Sequence, residues 1–471
     1  MSFLGLDLGT SGLRALLVRE DGTAIASVER SYQTQSPNPG WSEQDPMLWT
    51  LALESAMAEL RRNAPEFASL KAISVAGHMH GATLLDEAHQ VIRPCILWND
   101  TRAHEEAAEL DLDPDVQNAL ANTMFPGFTA PKLRWIETHE PENFKKIRKV
   151  VLPAAYLNTY LTGEPFADYS DSAGSGWLDV LQRCWSPTLL EAGHMRPEQM
   201  PRLVDSTQAG GLVRPELARQ WGFSDQVFVT GGAGDNAATA CAMGITQNGQ
   251  GLLSLGTSGV VLGAVDRPQP DPNSAVHTFC HAIPEQYYQM GVMLAATDSL
   301  NWLSDILLSD PAELTSELPK KLLAPGSTQF LPYLSGERTP HNSASLRGSW
   351  LGLSSRTTRT QMIHSVIEGV SFALKENLDA LESCGQHLDS LWAVGGGAKS
   401  DYWLSLLATV LDRPLWRPEQ GDFGAALGAA RLSQVAAGLP IDEVMTAPRC
   451  QEIIEPLDGL RESYREAFHR F

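Results

Sequence analysis

The chain has 471 residues, 43% of them hydrophobic, and a formal charge of −21. Such a length exceeds what one core serves and suits two domains of moderate size. The acidity is spread along the chain, which argues against nucleic acid and anionic membrane surfaces as partners. Six scattered cysteines without Cys-x-x-Cys spacing indicate neither a disulfide framework nor a zinc site. With no basic leader and no apolar run of membrane-spanning length, a cytoplasmic location is expected.

Residues 1–30 read as a β-meander: a strand to Leu8, a turn, a second strand, then Glu20-Asp21-Gly22 turning into Thr23–Glu29. Helical periodicity follows over 45–62, with Asp45-Pro46 as cap and first turn. Ala72–Ala76 predicts a buried strand running into Gly77-His78-Met79-His80, and 82–85 and 91–98 predict more sheet. The stretch 101–200 reads as mainly helical, broken at Pro126-Gly127 and Pro131. Val227–Thr230 predicts a strand opening into Gly231-Gly232-Ala233-Gly234-Asp235-Asn236 and an Ala-rich helix.

Near Gly244 the pattern restarts, placing domains at 1–244 and 245–471. Strands are expected at 251–265, 287–294, 329–331 and 391–394, and helices at 359–381 and 421–437.

The pentapeptide Leu-Gly-Thr-Ser-Gly occurs twice, at Leu8–Gly12 and Leu255–Gly259, each time between two apolar runs. A strand–turn–strand with Gly and small hydroxyls at its tip presents backbone N–H groups that suit anionic oxygens, above all phosphate. Two copies in matching context imply a duplicated domain whose phosphate turns face each other across a cleft. Asp7, two residues before Gly9, either holds magnesium beside such a turn or caps the strand end. Asp235 either caps its helix or serves as a base toward a substrate hydroxyl. Gly395-Gly396-Gly397 permits close approach of a flat ligand or of a packed helix. Met79-His80 and Trp98-Asn99-Asp100 end strands and either line a polar, sugar-sized pocket or simply pack. Neither a P-loop nor a dinucleotide fingerprint is present.

In order along the chain, these motifs resemble the FGGY carbohydrate kinases. The resemblance is carried by Gly5–Ser11, Trp41–Pro46, Met79–Asp86, Ile96–Asp100, Pro126–Leu133, Gly234–Ala238, Phe330–Pro340, the run from Gly348 to Glu368, and Gly395–Ala398. It implies an α/β fold of two ribonuclease H-like domains, of the actin/hexokinase/heat-shock-chaperone ATPase kind, with a catalytic cleft between them. The implied reaction is phosphorylation of D-xylulose by ATP with Mg2+. Ribulose, ribitol or erythritol are alternative acceptors, and a non-catalytic actin-like protein is the alternative of another class.

By the same resemblance Asp235 is the catalytic base, and Met79, His80, Asn236, Trp98 and Asp100 contact the sugar together with it. Gly9, Thr10, Ser11, Arg14, Gly256, Thr257, Gly396, Gly397 and Ala398 contact ATP, and Asp7 positions the metal. The expected partners are a small-molecule sugar and ATP, and the resemblance leaves room for a homodimer. Two positions depart from the family pattern: His78 stands where glutamine is expected, and Ala154-Ala155 where Lys-Asp or a similar pair is expected.

Overall fold

The computed structural model describes residues 1–419 and 424–471, which divide into two compact units. The first comprises Met1–Thr246, Phe279–Tyr287 and Phe423–Ala447; the second comprises Gln247–Thr278, Tyr288–Asp422 and Pro448–Phe471. The first crossing lies two residues beyond the expected position at 244. The chain then returns to the first unit twice, which a linear reading of composition does not register.

The first unit is built on a mixed sheet. Its strands are β1 (Ser2–Leu8), β2 (Gly12–Arg19), β3 (Ala24–Ser31), β4 (Leu70–Gly77), β5 (Ala209–Leu212), β6 (Phe228–Thr230) and β7 (Ala233–Gly234). Their order is β5-β6-β4-β1-β2-β3, with β7 also pairing β4. The β1–β2 hairpin is antiparallel, whereas β1, β6 and β7 all pair with β4 in parallel.

Side chains alternate across a strand, so Leu4, Leu6 and Leu8 enter one core with Trp49, Leu53 and Ala56 of the helix Pro46–Asn63. Asp45 caps that helix by accepting from the Met47 amide, and Pro46 occupies its first turn, where no N–H is needed.

Phe3 faces the opposite way, against Ala426 and Ala430 of the helix Gly424–Ala436. This helix approaches too closely for side chains. A Cβ on Gly5 would stand 1.9 Å from the Ala426 carbonyl oxygen, and one on Gly428 would stand 1.7 Å from that of Ala238. The expected helix over 421–437 is thus present from Gly424 to Ala436; residues 421–423 lie outside the described residues.

The stretch expected to be mainly helical contains helices at Thr129–His139 and Pro153–Thr162 but also short strands at Lys149–Val151, Phe166–Ala167, Leu178–Asp179 and Cys184–Trp185. Pro131 does not break a helix. It lies in the first turn of Thr129–His139, where its missing N–H would have had no helical partner.

A second sheet repeats the plan with β8 (Gln250–Leu255), β9 (Gly259–Val265), β10 (His277–Cys280), β11 (Tyr287–Met293), β12 (Ser390–Val394), β13 (Leu415–Pro418) and β14 (Cys450–Ile454). Their order is β10-β11-β9-β8-β12-β13-β14. The hairpin β8–β9 is antiparallel, β8–β12 and β12–β13 are parallel, and β14 closes an antiparallel edge. Strand for strand, this matches β3-β2-β1-β4-β6-β5, with β10 added. The 25-residue helix Arg359–Ser383 packs through Ile363, Val366, Ile367 and Val370 into the second unit's core. Among the described residues no helix is long and apolar enough to cross a membrane.

Candidate active site

Register gathers the first unit's candidate residues. Asp7 pairs with Ala76 and Leu8 with Gly77, while Ala233 and Gly234 pair with the same two residues of β4. The next residues on the three strands are Gly9, His78 and Asp235. They emerge together at the carboxyl ends of parallel strands, where α/β sheets bind their ligands. Asp7 is level with Ala233, two strand spacings or about 10 Å across the sheet, and Asp235 follows two residues further on.

The first turn is fixed through its carbonyls. Tyr32 Oη donates to Gly9 O at 2.6 Å and Gln44 Nε2 to Thr10 O at 2.6 Å. Trp98 Nε1 donates to Thr10 Oγ1 at 3.0 Å, so Trp98 holds the turn's hydroxyl. Asp7 is half-buried at the strand end. Burial first, and the Asp7 charge second, push the Tyr32 hydroxyl's pKa up. Arg14, opposite Asp7 in the hairpin, puts Nη2 2.6 Å from Glu29 Oε1.

Asp235 begins the helix Asp235–Ala242. Its Oδ1 accepts from the Asn236 amide at 2.8 Å and from Asn236 Nδ2 at 3.0 Å. Burial raises the carboxyl to about 6 against these hydrogen bonds, which favour the anion. Asn236 thereby serves to aim the carboxylate. The glycines before it answer to packing: a Cβ on Gly231 would lie 2.5 Å from Asp205 O, and one on Gly234 would lie 3.0 Å from Met79 Cγ.

His80 is held from every side. Its φ of +69° is left-handed, a conformation that non-glycine residues keep only when their surroundings enforce it. Here Lys132 Nζ and Thr129 Oγ1 both donate to its carbonyl, at 2.8 and 3.1 Å. Its ring stacks on Phe128 at 4.8 Å, and Nδ1 donates to Gly174 O at 2.6 Å. Because a carbonyl only accepts, Nδ1 carries the hydrogen. Met79, 3% exposed, packs under Gly234 and Gly174.

Asp100 requires a correction. Its Oδ1 accepts from Arg102 N and Nε, and its Oδ2 from Ser42 N and Arg102 Nη2, all within 2.6–2.9 Å. Both residues are buried. The carboxylate's acceptor capacity is taken up by this buried ion pair, so Asp100 leaves the sugar set. Ala154 packs against Gly77, and Ala155 joins Leu85, Val151 and Ala167 in a small core, so both alanines serve packing.

The family model for the FGGY family of carbohydrate kinases, N-terminal domain, matches residues 2–242, and that for the C-terminal domain matches 251–437. The chain belongs to the FGGY family of carbohydrate kinases. It is 43% identical to a xylulose kinase of Escherichia coli (strain K12) over 92% of this chain and 90% of that one. A xylulose kinase from Rhodospirillum rubrum superimposes with a TM-score of 0.91 at 31% identity, covering 100% of this chain and 97% of that one. The crystal structure of a xyloylose kinase from Brucella ovis superimposes with a TM-score of 0.97 at 50% identity, covering 100% of this chain and 98% of that one. Both units of this carbohydrate kinase therefore have the actin/hexokinase-like ATPase fold.

In the kinase's second unit the repeated turn is again pinned by its carbonyls. Thr297 N donates to Gly256 O at 3.0 Å and Ala296 N to Thr257 O at 2.9 Å. The two readings of the glycine run divide by residue. A Cβ on Gly395 would meet Leu255 O at 2.6 Å, and one on Gly397 would meet Leu255 Cβ at 3.0 Å, so both serve packing. A Cβ on Gly396 would meet nothing within 4 Å, leaving its backbone open to a ligand. Ala398 is buried beside it.

Sequence reasoning missed the turn Asp168–Ser175, which borders both Asp235 and His80. Ser170 Oγ donates to Asp168 Oδ2 at 2.5 Å and accepts from Gly234 N at 3.1 Å. The available signal was two aspartates three apart followed by Ser172-Ala173-Gly174-Ser175-Gly176, small residues like those preceding Asp235.

Proposed function

We propose that this kinase transfers the γ-phosphoryl group of ATP to D-xylulose, giving D-xylulose 5-phosphate and ADP, with Asp235 as the base. The observation carrying this reading is the Asp235 carboxyl itself. It sits at a shared strand edge, is aimed by Asn236 and is pushed up to about 6, which leaves it ionised yet basic near neutrality. The names of the similar kinases support the choice of sugar.

In this reading Asp235 accepts the proton of the C5 hydroxyl as its oxygen bonds to the γ-phosphorus and the bond to ADP breaks. Met79, His80 and Asn236 orient the sugar. Thr10, Ser11 and Thr257, on turns whose carbonyls are tied back, meet the phosphates, and Gly396 faces the nucleoside. Arg14 adds positive charge near the first turn.

Asp7 fits a magnesium ion. Mg2+ takes one or two protein carboxylates and fills its sphere with water and phosphate oxygens. A half-buried carboxylate beside the turn meets that need, and no denser metal cluster is present among the described residues. Bound there, the ion would neutralise phosphate charge.

The test is ADP release with Mg-ATP over a panel of ketopentoses and polyols, comparing wild type with Asp235→Asn. The variant should lose about 10²–10⁴-fold in kcat. Wild-type kcat/KM should fall with pH below about 6, as the base takes up its proton. Activity of Asp235→Asn within threefold of wild type would overturn the base assignment. Preference for another polyol would overturn the sugar assignment.

A further inference from the structure

Asp171 is 1% exposed, and neither of its carboxylate oxygens has a hydrogen-bond partner. The contrast with Asp168, one helical turn earlier, is sharp. Asp168 caps the helix Tyr169–Ser172 and receives the Ser170 hydroxyl and amide, the Ser206 hydroxyl at 2.9 Å and the Asp171 amide at 3.2 Å. One carboxyl of the pair therefore has four donors and the other has none. An unmet buried carboxyl is a standing cost to the fold, and such costs persist where a ligand completes the site.

The surroundings identify that ligand's place. Through Ser170 Oγ the turn is tied to Gly234, the residue before Asp235, and through Gly174 O it is tied to His80 Nδ1. Asp171 thus lies on the stretch joining the base to the proposed sugar contacts.

We propose that Asp171 is a specificity-determining residue of the acceptor pocket, its two open oxygens taking a hydroxyl group of the polyhydroxylated substrate. The inference rests on the acceptor reading given above. Burial first, then the charges of Asp168 and Asp235, push the Asp171 carboxyl well up. A carboxyl held toward its protonated form can donate one hydrogen bond and accept another, and a sugar hydroxyl can do both in return. Asp235 differs in staying ionised to accept a proton. Neighbouring carboxyls with separated pKa values can divide roles in this way.

The experiment is calorimetric titration of the full chain with D-xylulose, D-ribulose and ribitol, without nucleotide, alongside melting temperature. The comparison is among wild type, Asp171→Leu and Asp171→Asn. Asp171→Leu should weaken binding of the preferred sugar at least tenfold and narrow the preference among the three. It should leave the KM for ATP within twofold and the sugar-free melting temperature unchanged or higher, because an unmet polar group is removed. Asp171→Asn, which keeps a neutral donor and acceptor, should bind within about threefold of wild type.

Equal sugar affinity in wild type and Asp171→Leu would overturn the inference while leaving the acceptor reading standing. So would a fall in melting temperature for Asp171→Asn without sugar, which would mark a structural carboxyl. Absence of sugar binding by wild type would overturn the acceptor reading and this inference with it.

Discussion

Replacing His78 by glutamine should change how the protein responds to acid. His78 directly follows β4, with its amide bonded to Leu8 O at 3.0 Å. It is 2% exposed, neither ring nitrogen has a hydrogen-bond partner, and the ring meets Trp49 edge-on at 5.5 Å. Burial, helped by the Lys132 charge, lowers its pKa to about 3. In the unfolded chain the imidazole titrates near 6.5. Below that value the unfolded state binds a proton that the native state refuses, so stability present at pH 8 is lost as pH falls toward 3.

At about 1.36 kcal/mol per unit, the 1.5 units between 6.5 and pH 5 amount to roughly 2 kcal/mol, and the full span to roughly 5. Glutamine has no such titration. Its own buried amide shifts stability by an amount that does not depend on pH. Urea unfolding followed by tryptophan fluorescence at pH 8 and pH 5 gives the comparison. His281 and His364, which burial also lowers to about 4, are common to both proteins and cancel in the difference. The gap should move by about 2 kcal/mol in favour of His78→Gln on going to pH 5. Parallel losses, with the gap constant within about 0.5 kcal/mol, would refute the buried neutral imidazole.

Two further substitutions separate positioning from packing. Lys132→Met removes the ammonium bonded to His80 O and Gly127 O at 2.8 and 2.7 Å. It should cost about 1.5–3 kcal/mol and raise the KM for sugar several-fold with the KM for ATP unchanged, as read by urea unfolding and steady-state kinetics. Asp100→Asn removes the carboxylate that takes Arg102 Nε and Nη2, leaving the buried guanidinium with Glu43, whose Oε1 is 2.7 Å from Nη1. Because Glu43 still compensates the Arg102 charge, the loss is that of hydrogen bonds to a charged group, about 1.5–3 kcal/mol, read by urea unfolding. The KM for sugar should stay within twofold; a tenfold rise would restore Asp100 to the sugar pocket.

The parts of the molecule legible in the sequence are those whose causes are local. The hairpin turns at Gly9 and Gly256, the cap at Asp45 and the strand into Gly77 each follow from adjacent residues. Asp100 and Asp171 show what local pattern does not carry. Both are aspartates near strand ends or turns; Arg102 stands two residues from Asp100, but its presence in the sequence does not show that it folds back onto that carboxylate, nor that Asp171 is unmet. That difference arises from which donors the fold brings to them, the Ser42 backbone amide from 58 residues away in one case and none in the other. The glycines before Asp235 were legible as a signal but not as a cause, since the atoms they make room for lie on β4, Asp205 and Met79.

The duplicated topology makes the division of labour between the two sheets readable position by position. The register places Asp7 beside Ala76 in the first unit and Ser254 beside Val394 in the second, so Asp7 and Ser254 are equivalent, as are the turns that follow. Continuing one row, Gly77 corresponds to Gly395, and the next three residues are His78-Met79-His80 in one copy and Gly396-Gly397-Ala398 in the other. The same strand end carries ring nitrogens and a thioether in the first sheet and almost bare backbone in the second. A ligand recognised hydroxyl by hydroxyl needs the former, and a flat heterocycle admitted by close approach needs the latter. The carboxylate beside the turn likewise survives in only one copy, at Asp7. Under the function proposed above, duplication accounts for the two phosphate turns, and the substitutions at these four equivalent positions account for their acting on different parts of the reaction.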